Sequence, residues 1–211
     1  MKAKYLEYGG KLAIVCAVCM LGVGGAYVAA KDKIEIGKKA AFYSALTAVL
    51  QAKESEPIPE TKDVEDKDGY FVFETADGEQ RYAAQGSHPG YSGAVEVAVG
   101  ARKVGGVLTI IKVRVISQTE TPGLGTRIAE QSSNLTLWTK IGNALGAETV
   151  EVKPFPFLDQ YEGKNGDQLL LTGDPADAAN KIVKITGVSI SSNAATEAVK
   201  KALKKIEEGT R

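Results

Sequence analysis

Cysteine, histidine and tryptophan are scarce in this chain: its 211 residues include two cysteines, one histidine and one tryptophan. Both cysteines, Cys16 and Cys19, fall inside an amino-terminal apolar run, three positions apart on one face of a helix. Everything after that run therefore lacks a disulfide and a cysteine-based metal site. Inside an apolar helix such thiols serve as small packing groups. Val15 and Val18 stand where a lipid-attachment box needs a small residue. The lone histidine, His88, adjoins Pro89 in a predicted loop, a surface position to which no role is assigned. No part of the chain supplies a nicotinamide site, a metal cage or a nucleophile–base pair. An excess of one charge is also missing. With 26 basic and 26 acidic residues, nothing in the bulk charge points to nucleic acid or an acidic polymer.

What is present begins with Leu12 to Ala30, a stretch free of charge between Lys11 and Lys31. At about 1.5 Å per residue a helix of this length crosses the roughly 30 Å hydrocarbon core of a bilayer. Gly22, Gly24, Gly25 and Ala26 would let another helix approach closely, and Tyr5, Tyr8 and Tyr27 lie near the expected interfaces. Val28-Ala29-Ala30 also resembles a signal-peptide cleavage site, but the run exceeds a typical signal core, so an uncleaved transmembrane helix over 12–30 is expected. Residues 1–11 form a short amino terminus, and lysines on both flanks leave the orientation undecided.

Residues 31–68 read as a connector. Lys38 to Lys53 has an apolar stripe of Ala41, Ala45, Leu46, Val49 and Leu50, which predicts an amphipathic helix standing the domain off the membrane. Glu54 to Asp68, charged and carrying Pro57 and Pro59, reads as a linker and hinge. From residue 69 to 211 the pattern predicts a globular domain. Tyr70 to Thr75 and Gln80 to Ala84 form a hairpin, Gln85 to Gly93 a glycine-rich loop, and Ala94 to Val99 and Val107 to Val115 strands turning near Gly105-Gly106. Trp138 is expected in the core. Short strands are expected at Leu169 to Thr172 and Ile182 to Ile185, around a helical turn near Pro175.

Two stretches carry candidate chemistry. The first is Lys184 to Lys201, where Thr186, Ser189, Ser191 and Ser192 crowd around Gly187 ahead of a helix marked by Ala195, Ala198, Val199, Ala202, Leu203 and Ile206. Ser191, Ser192 and Asn193 are good amino-terminal caps. A helix amino terminus attracts phosphate through unpaired N–H groups and its dipole, and hydroxyls there can bond or be esterified by one. A capped terminal helix after a short strand explains the same residues without any ligand. The second stretch is Glu120-Thr121-Pro122-Gly123-Leu124-Gly125. Two glycines around one leucine can lay a backbone flat against a planar ring, and Glu120 and Thr121 supply polar groups for its edge. A plain turn would also satisfy it.

Together these segments resemble a known family. Thr186-Gly187-Val188-Ser189-Ile190-Ser191 is similar to the Ser/Thr-Gly-Ala-Thr-x-Ser/Thr segment of the FMN-binding domain family, with Ser189 in place of threonine, Val188 in place of alanine and Val183 where an aspartate often precedes. Glu120 to Gly125 resembles the loop of the flavin-carrying G subunits of Rnf-type electron-transport complexes and the related C subunits of sodium-pumping NADH:quinone oxidoreductases. The turn at Gly90-Tyr91-Ser92-Gly93 and the segment Phe157 to Lys164 are similar to the same family.

The resemblance implies an α+β fold: a cytoplasmic amino terminus over residues 1–11, a transmembrane helix, then an extracytoplasmic domain with a twisted, mostly antiparallel sheet and flanking helices. It implies FMN joined through its phosphate to Ser189 by a flavin transferase. Thr186, Gly187, Val188, Ser191 and Ser192 would lie near that phosphate, Glu120, Thr121, Gly123, Leu124 and Gly125 under the ring, and Lys164 either facing the phosphate or solvated. The expected role is an electron-carrier subunit of a membrane-bound, ion-translocating NAD:ferredoxin oxidoreductase, partnered by the other membrane subunits. A free-standing membrane-anchored FMN protein and a flavin-free structural subunit are the alternatives.

Overall fold

The computed structural model describes residues 2–52, 56–130 and 156–210; Trp138 lies outside the described residues. The chain divides into two units, Met1–Ala41 and Phe42–Arg211. The first is helical. Helix α1 runs from Lys2–Leu50, and its part in this unit contains the uncharged stretch, apolar on every face. Leu12, Val18, Leu21 and Val28 are all exposed, the distribution of a helix whose surroundings are themselves apolar. By length and composition it can cross a membrane.

The second unit is an α+β domain, as expected. Its main sheet has five antiparallel strands in the order β1 (Glu65–Asp66), β2 (Phe71–Glu74), β3 (Gln80–Pro89), β4 (Ala94–Val104) and β5 (Val107–Ser117). Gly105 and Gly106 both adopt positive φ in the two-residue β4–β5 turn, which is why that turn was visible as a glycine pair. Two short parallel strands, β6 (Leu171–Thr172) and β7 (Ile182–Val183), lead into the last helix, α2 (Ser189–Gly209).

Successive residues of a strand face opposite sides, and here both sides are buried. On one side Tyr82, Ala84, Val97, Val99 and Ala101 meet Ala195, Ala198, Val199, Ala202, Leu203 and Ile206 of α2 in the larger core. On the other, Ala83 and Ala98 meet Leu46, Val49 and Leu50 from the last turns of α1. The predicted connector helix thus has its apolar stripe, but the stripe is core, because the sheet's second face needs covering. That helix is also the end of α1 and stops at Leu50.

The segment predicted as a linker and hinge is likewise built into the domain. Pro59 is buried, and Glu65–Asp66 pair with Phe71 and Val72. Glu56 forms an ion pair with Arg81 at 2.7 Å. Arg81, buried beneath this segment, also donates to the Leu50 carbonyl at 2.9 Å and to Glu79 at 2.9 Å. The predicted glycine-rich loop at 85–93 is mostly strand. β3 continues to Pro89, and only Gly90 to Gly93 turn. Gly86 is there because the backbone of α2 touches it: an added Cβ would lie 1.8 Å from the Ala198 carbonyl oxygen. Gly100 plays the same part on the other face, 1.9 Å from the Val49 carbonyl oxygen. Beyond Ala83, where pairing with β2 ends, the Gln85 and Ser87 carbonyls accept from Lys205 and Lys201 of α2 at 2.8 and 3.1 Å.

Two measurements test this packing. Gly86→Ala should cost about 1–3 kcal/mol through forced separation of α2 from β3. Gly166→Ala, where an added Cβ meets nothing, should stay within about 0.5 kcal/mol of wild type in the same denaturation series. The second concerns acid. Burial raises the Glu79 carboxyl, but hydrogen bonds and charge from Arg81 and Arg102 outweigh it and hold the group below its ordinary 4.5. Its stabilising contribution is therefore full above that ordinary value and lost as pH falls through the lower folded one. Glu79→Gln should show a shallower fall of melting temperature between about pH 5 and 3 than wild type.

Candidate functional site

The first turn of α2, the 120–125 loop and the Gly90–Gly93 turn converge on a cleft of about 370 Å³. Gly187, Val188, Ser189, Ile190 and Ser191 form one wall, Glu120, Thr121, Leu124 and Gly125 the other, with Tyr91 at the rim. The two stretches singled out in the sequence, more than sixty positions apart in the chain, thus face each other across one opening. A second cavity of about 420 Å³ lies near the β4–β5 turn, lined by Lys103, Leu108, Asp167, Leu203 and Glu207 among others. None of the predicted site residues borders it.

Ser189 is the first residue of α2, one position after the cap Val188, and it is exposed. Gly187, at φ +80, turns the chain out of β7 into that helix. Val188 is buried in the main core, so the side chain standing in for alanine finds room there. No side chain caps α2. The expected caps cannot act as such, because the helix starts earlier and Ser191 and Ser192 are its third and fourth residues; the Ser191 hydroxyl donates to Glu120, and the Ser192 hydroxyl accepts from the Ile185 amide at 3.2 Å. The amides at the start of the helix thus have no side-chain cap, and the positive end of the helix dipole lies there beside Ser189.

Glu120 is only 4% exposed. One carboxylate oxygen accepts from the Tyr91 and Ser92 amides at 2.9 and 3.1 Å, and the other accepts from Ser191. Both of its oxygens therefore take bonds from the protein, while the residue still lines the cleft. Thr121 accepts on its carbonyl from the Leu124 and Thr126 amides, and Gly123 at φ +73 completes that turn. Leu124, Ile190 and Tyr91 are 55%, 56% and 72% exposed, an apolar fringe around an opening whose base is polar.

Four predicted residues lie off the cleft. Thr186 is exposed behind it, Ser192 is buried, Gly123 only shapes the loop, and Lys164 is elsewhere. The Lys164 ammonium donates to the Ala178 and Ala179 carbonyls at 2.9 Å each, so it caps a turn and faces no phosphate. The whole segment from Phe157 proves to be scaffold. Gln160 pairs with both backbone groups of Val183 in β7, at 2.8 and 3.2 Å. Tyr161, fully buried, bonds Thr196 of α2 at 2.8 Å, and that burial raises its hydroxyl pKa. Sequence reasoning passed over Tyr91 and Ile190. The Gly90-Tyr91-Ser92-Gly93 turn held the signal for the first, and Ile190 had none beyond its place after Ser189. Tyr161→Phe should cost about 1 kcal/mol in unfolding free energy, since Thr196 keeps its bond to the Ser192 carbonyl and only the Tyr161 partner is lost.

An exposed hydroxyl, uncapped helix amides and an apolar fringe fit a flavin mononucleotide, which brings one phosphate and one flat ring. The FMN-binding domain family model matches residues 90–204. The G subunit of the ion-translocating oxidoreductase complex of Haemophilus influenzae is 34% identical over 136 residues, 61% of this chain and 64% of that protein. Its counterpart in Pseudomonas aeruginosa is 32% identical over 128 residues, covering 57% and 45%. The G subunit of the proton-translocating ferredoxin:NAD(+) oxidoreductase complex of Clostridium ljungdahlii is 27% identical over 125 residues, covering 59% and 52%. The chain spans between 45% and 64% of the length of these curated relatives. Among solved structures, the C subunit of the Na(+)-translocating NADH-quinone reductase of Parabacteroides distasonis gives a TM-score of 0.45 at 19% identity, over 66% of this chain and 61% of that one. The matched span contains the Gly90–Gly93 turn, the 120–125 loop and the first turn of α2, and the chain belongs to the FMN-binding domain family.

Proposed function

We propose that this protein carries electrons on FMN attached through its phosphate to Ser189, as the G-type member of a membrane-bound, ion-translocating oxidoreductase complex. One observation carries the reading: the Ser189 hydroxyl stands exposed at the uncapped start of α2 and opens onto the cleft whose far wall is Thr121, Leu124 and Gly125. A loop serine would have no such surroundings.

Each wall then has a task. In attachment, the Ser189 oxygen bonds to the phosphorus of an activated flavin nucleotide presented by a flavin transferase. The phosphoanhydride bond of that donor breaks, its nucleotide part leaves, and the hydroxyl proton passes to a base of the transferase. The amides opening α2 would hold the resulting phosphodiester, whose negative charge suits the helix dipole. Leu124, Ile190 and Tyr91 would shield the faces of the ring from water. FMN supplies the redox chemistry itself, exchanging one or two electrons; the protein holds it and sets its surroundings. A covalent tether suits a carrier, since the cofactor stays in place in every redox state. The complex's other membrane subunits would be its electron partners, α1 its single membrane anchor, and the domain would lie on the extracytoplasmic side.

The intact mass of the protein taken from membranes of its own host tests the attachment. A gain of one FMN less one water is expected, absent in Ser189→Ala. An unmodified native chain would overturn the attachment and favour a flavin-free structural role.

A further inference from the structure

Glu120 touches every wall of the cleft, and the chain around it is shaped to accommodate it. Its carboxylate takes two amides from the turn at Tyr91 and Ser92 and the hydroxyl of Ser191 in the first turn of α2. It belongs itself to the opposite loop. A Cβ on Gly90 would lie 2.3 Å from one carboxylate oxygen. A Cβ on Gly125 would lie 2.5 Å from the other and 2.8 Å from the Ser191 oxygen. Neither glycine has a positive φ, so neither is required by its own backbone. Both are bare because the carboxylate passes there. Hydrogen bonds from amides and a hydroxyl to a carboxylate are charge-assisted and stronger than neutral ones, and the one from Ser191 links residues 71 positions apart.

We propose that Glu120 is the positioning residue for the acceptor hydroxyl: by holding Ser191 it fixes the turn of α2 on which Ser189 sits, at a set distance from both loops. The proposal rests on Ser189 as the attachment point. Ser191 is two residues beyond Ser189 on that turn, so a shift of the turn carries the hydroxyl with it. A displacement of about 1 Å at an acceptor atom can cost about a hundredfold in transfer rate. The carboxylate also leaves a fixed negative charge beside the cleft, and reduction of a group bound there works against that charge.

The test uses the full-length chain in membranes, co-expressed with a flavin transferase, as wild type, Ser189→Ala, Ser191→Ala and Glu120→Gln. Intact mass should show one FMN on wild type and none on Ser189→Ala; a bare wild type would overturn the attachment reading and this proposal with it. Given a loaded wild type, the initial rate of loading should fall at least about tenfold in Ser191→Ala, with far-UV circular dichroism unchanged. Loaded Glu120→Gln should have a higher flavin midpoint potential and an altered visible circular dichroism. Hydrogen exchange on chains expressed without the transferase is independent of any flavin. There, Ser191→Ala should speed exchange at residues 189–192 and at Tyr91–Ser92, leaving the remainder of α2 as it was. Wild-type loading rate, potential and exchange in both variants would overturn the proposal, as would loss of exchange protection along the whole of α2, which marks a general packing role.

Discussion

The seat of α2 on β3 governs this domain. At Gly86 the strand and the helix backbone are in direct contact, leaving no space for a side chain, and small residues at 194, 195, 198 and 202 keep the rest of the helix equally near. Such a contact fixes the helix along its axis and about it, since sliding by one residue would drive a larger side chain into the sheet. The start of α2, and the serine there, inherits that precision. Gly100 settles the last turns of α1 on the opposite face by the same means. Two glycines in neighbouring strands thereby define a three-layer domain, helix over sheet over helix.

Around that frame the polar contacts are arranged by a similar economy. Buried hydrogen-bonding groups must find partners, and here they find them between segments remote in sequence. Gln160 supplies backbone partners to β7, Tyr161 reaches α2 through Thr196, and Lys164 closes a turn with two carbonyls. These lie behind the β7–α2 junction and stiffen it. The side of the junction facing the cleft keeps a free hydroxyl and an apolar fringe. One side is saturated and the other open, so the junction is rigid behind and accessible in front.

Much of this was legible in the chain. The Gly105-Gly106 turn, the alternating strands either side of it and the periodicity of α2 depend on local rules, and local rules are what a sequence displays. The two motifs that meet at the cleft were visible for the same reason: hydroxyls crowd one, and glycines flank a leucine in the other. What escaped reading was decided by distant partners. Ser191 and Ser192 are good caps by type, but the helix starts at Ser189, and inside its first turn they bond Glu120 and the Ile185 amide instead. Gly86, read as a loop residue, is a strand residue beneath a helix. The 31–68 region looked like a spacer because charge and proline say so locally, whereas Arg81 and the uncovered face of the sheet draw it in. Lys164 beside Gly163 looked available for an anion until its two carbonyl partners came into view.

The lysines that α2 lays over β3 have a consequence of their own. Among the described residues, the outer half of that strand is left unpartnered by β2, and bare strand margins recruit foreign polypeptide. Ammonium groups on Lys201 and Lys205 already satisfy two of its carbonyls. A newcomer would have to dislodge them and bring positive charge against its own backbone. That arrangement disfavours illegitimate strand exchange while leaving the neighbouring cleft accessible.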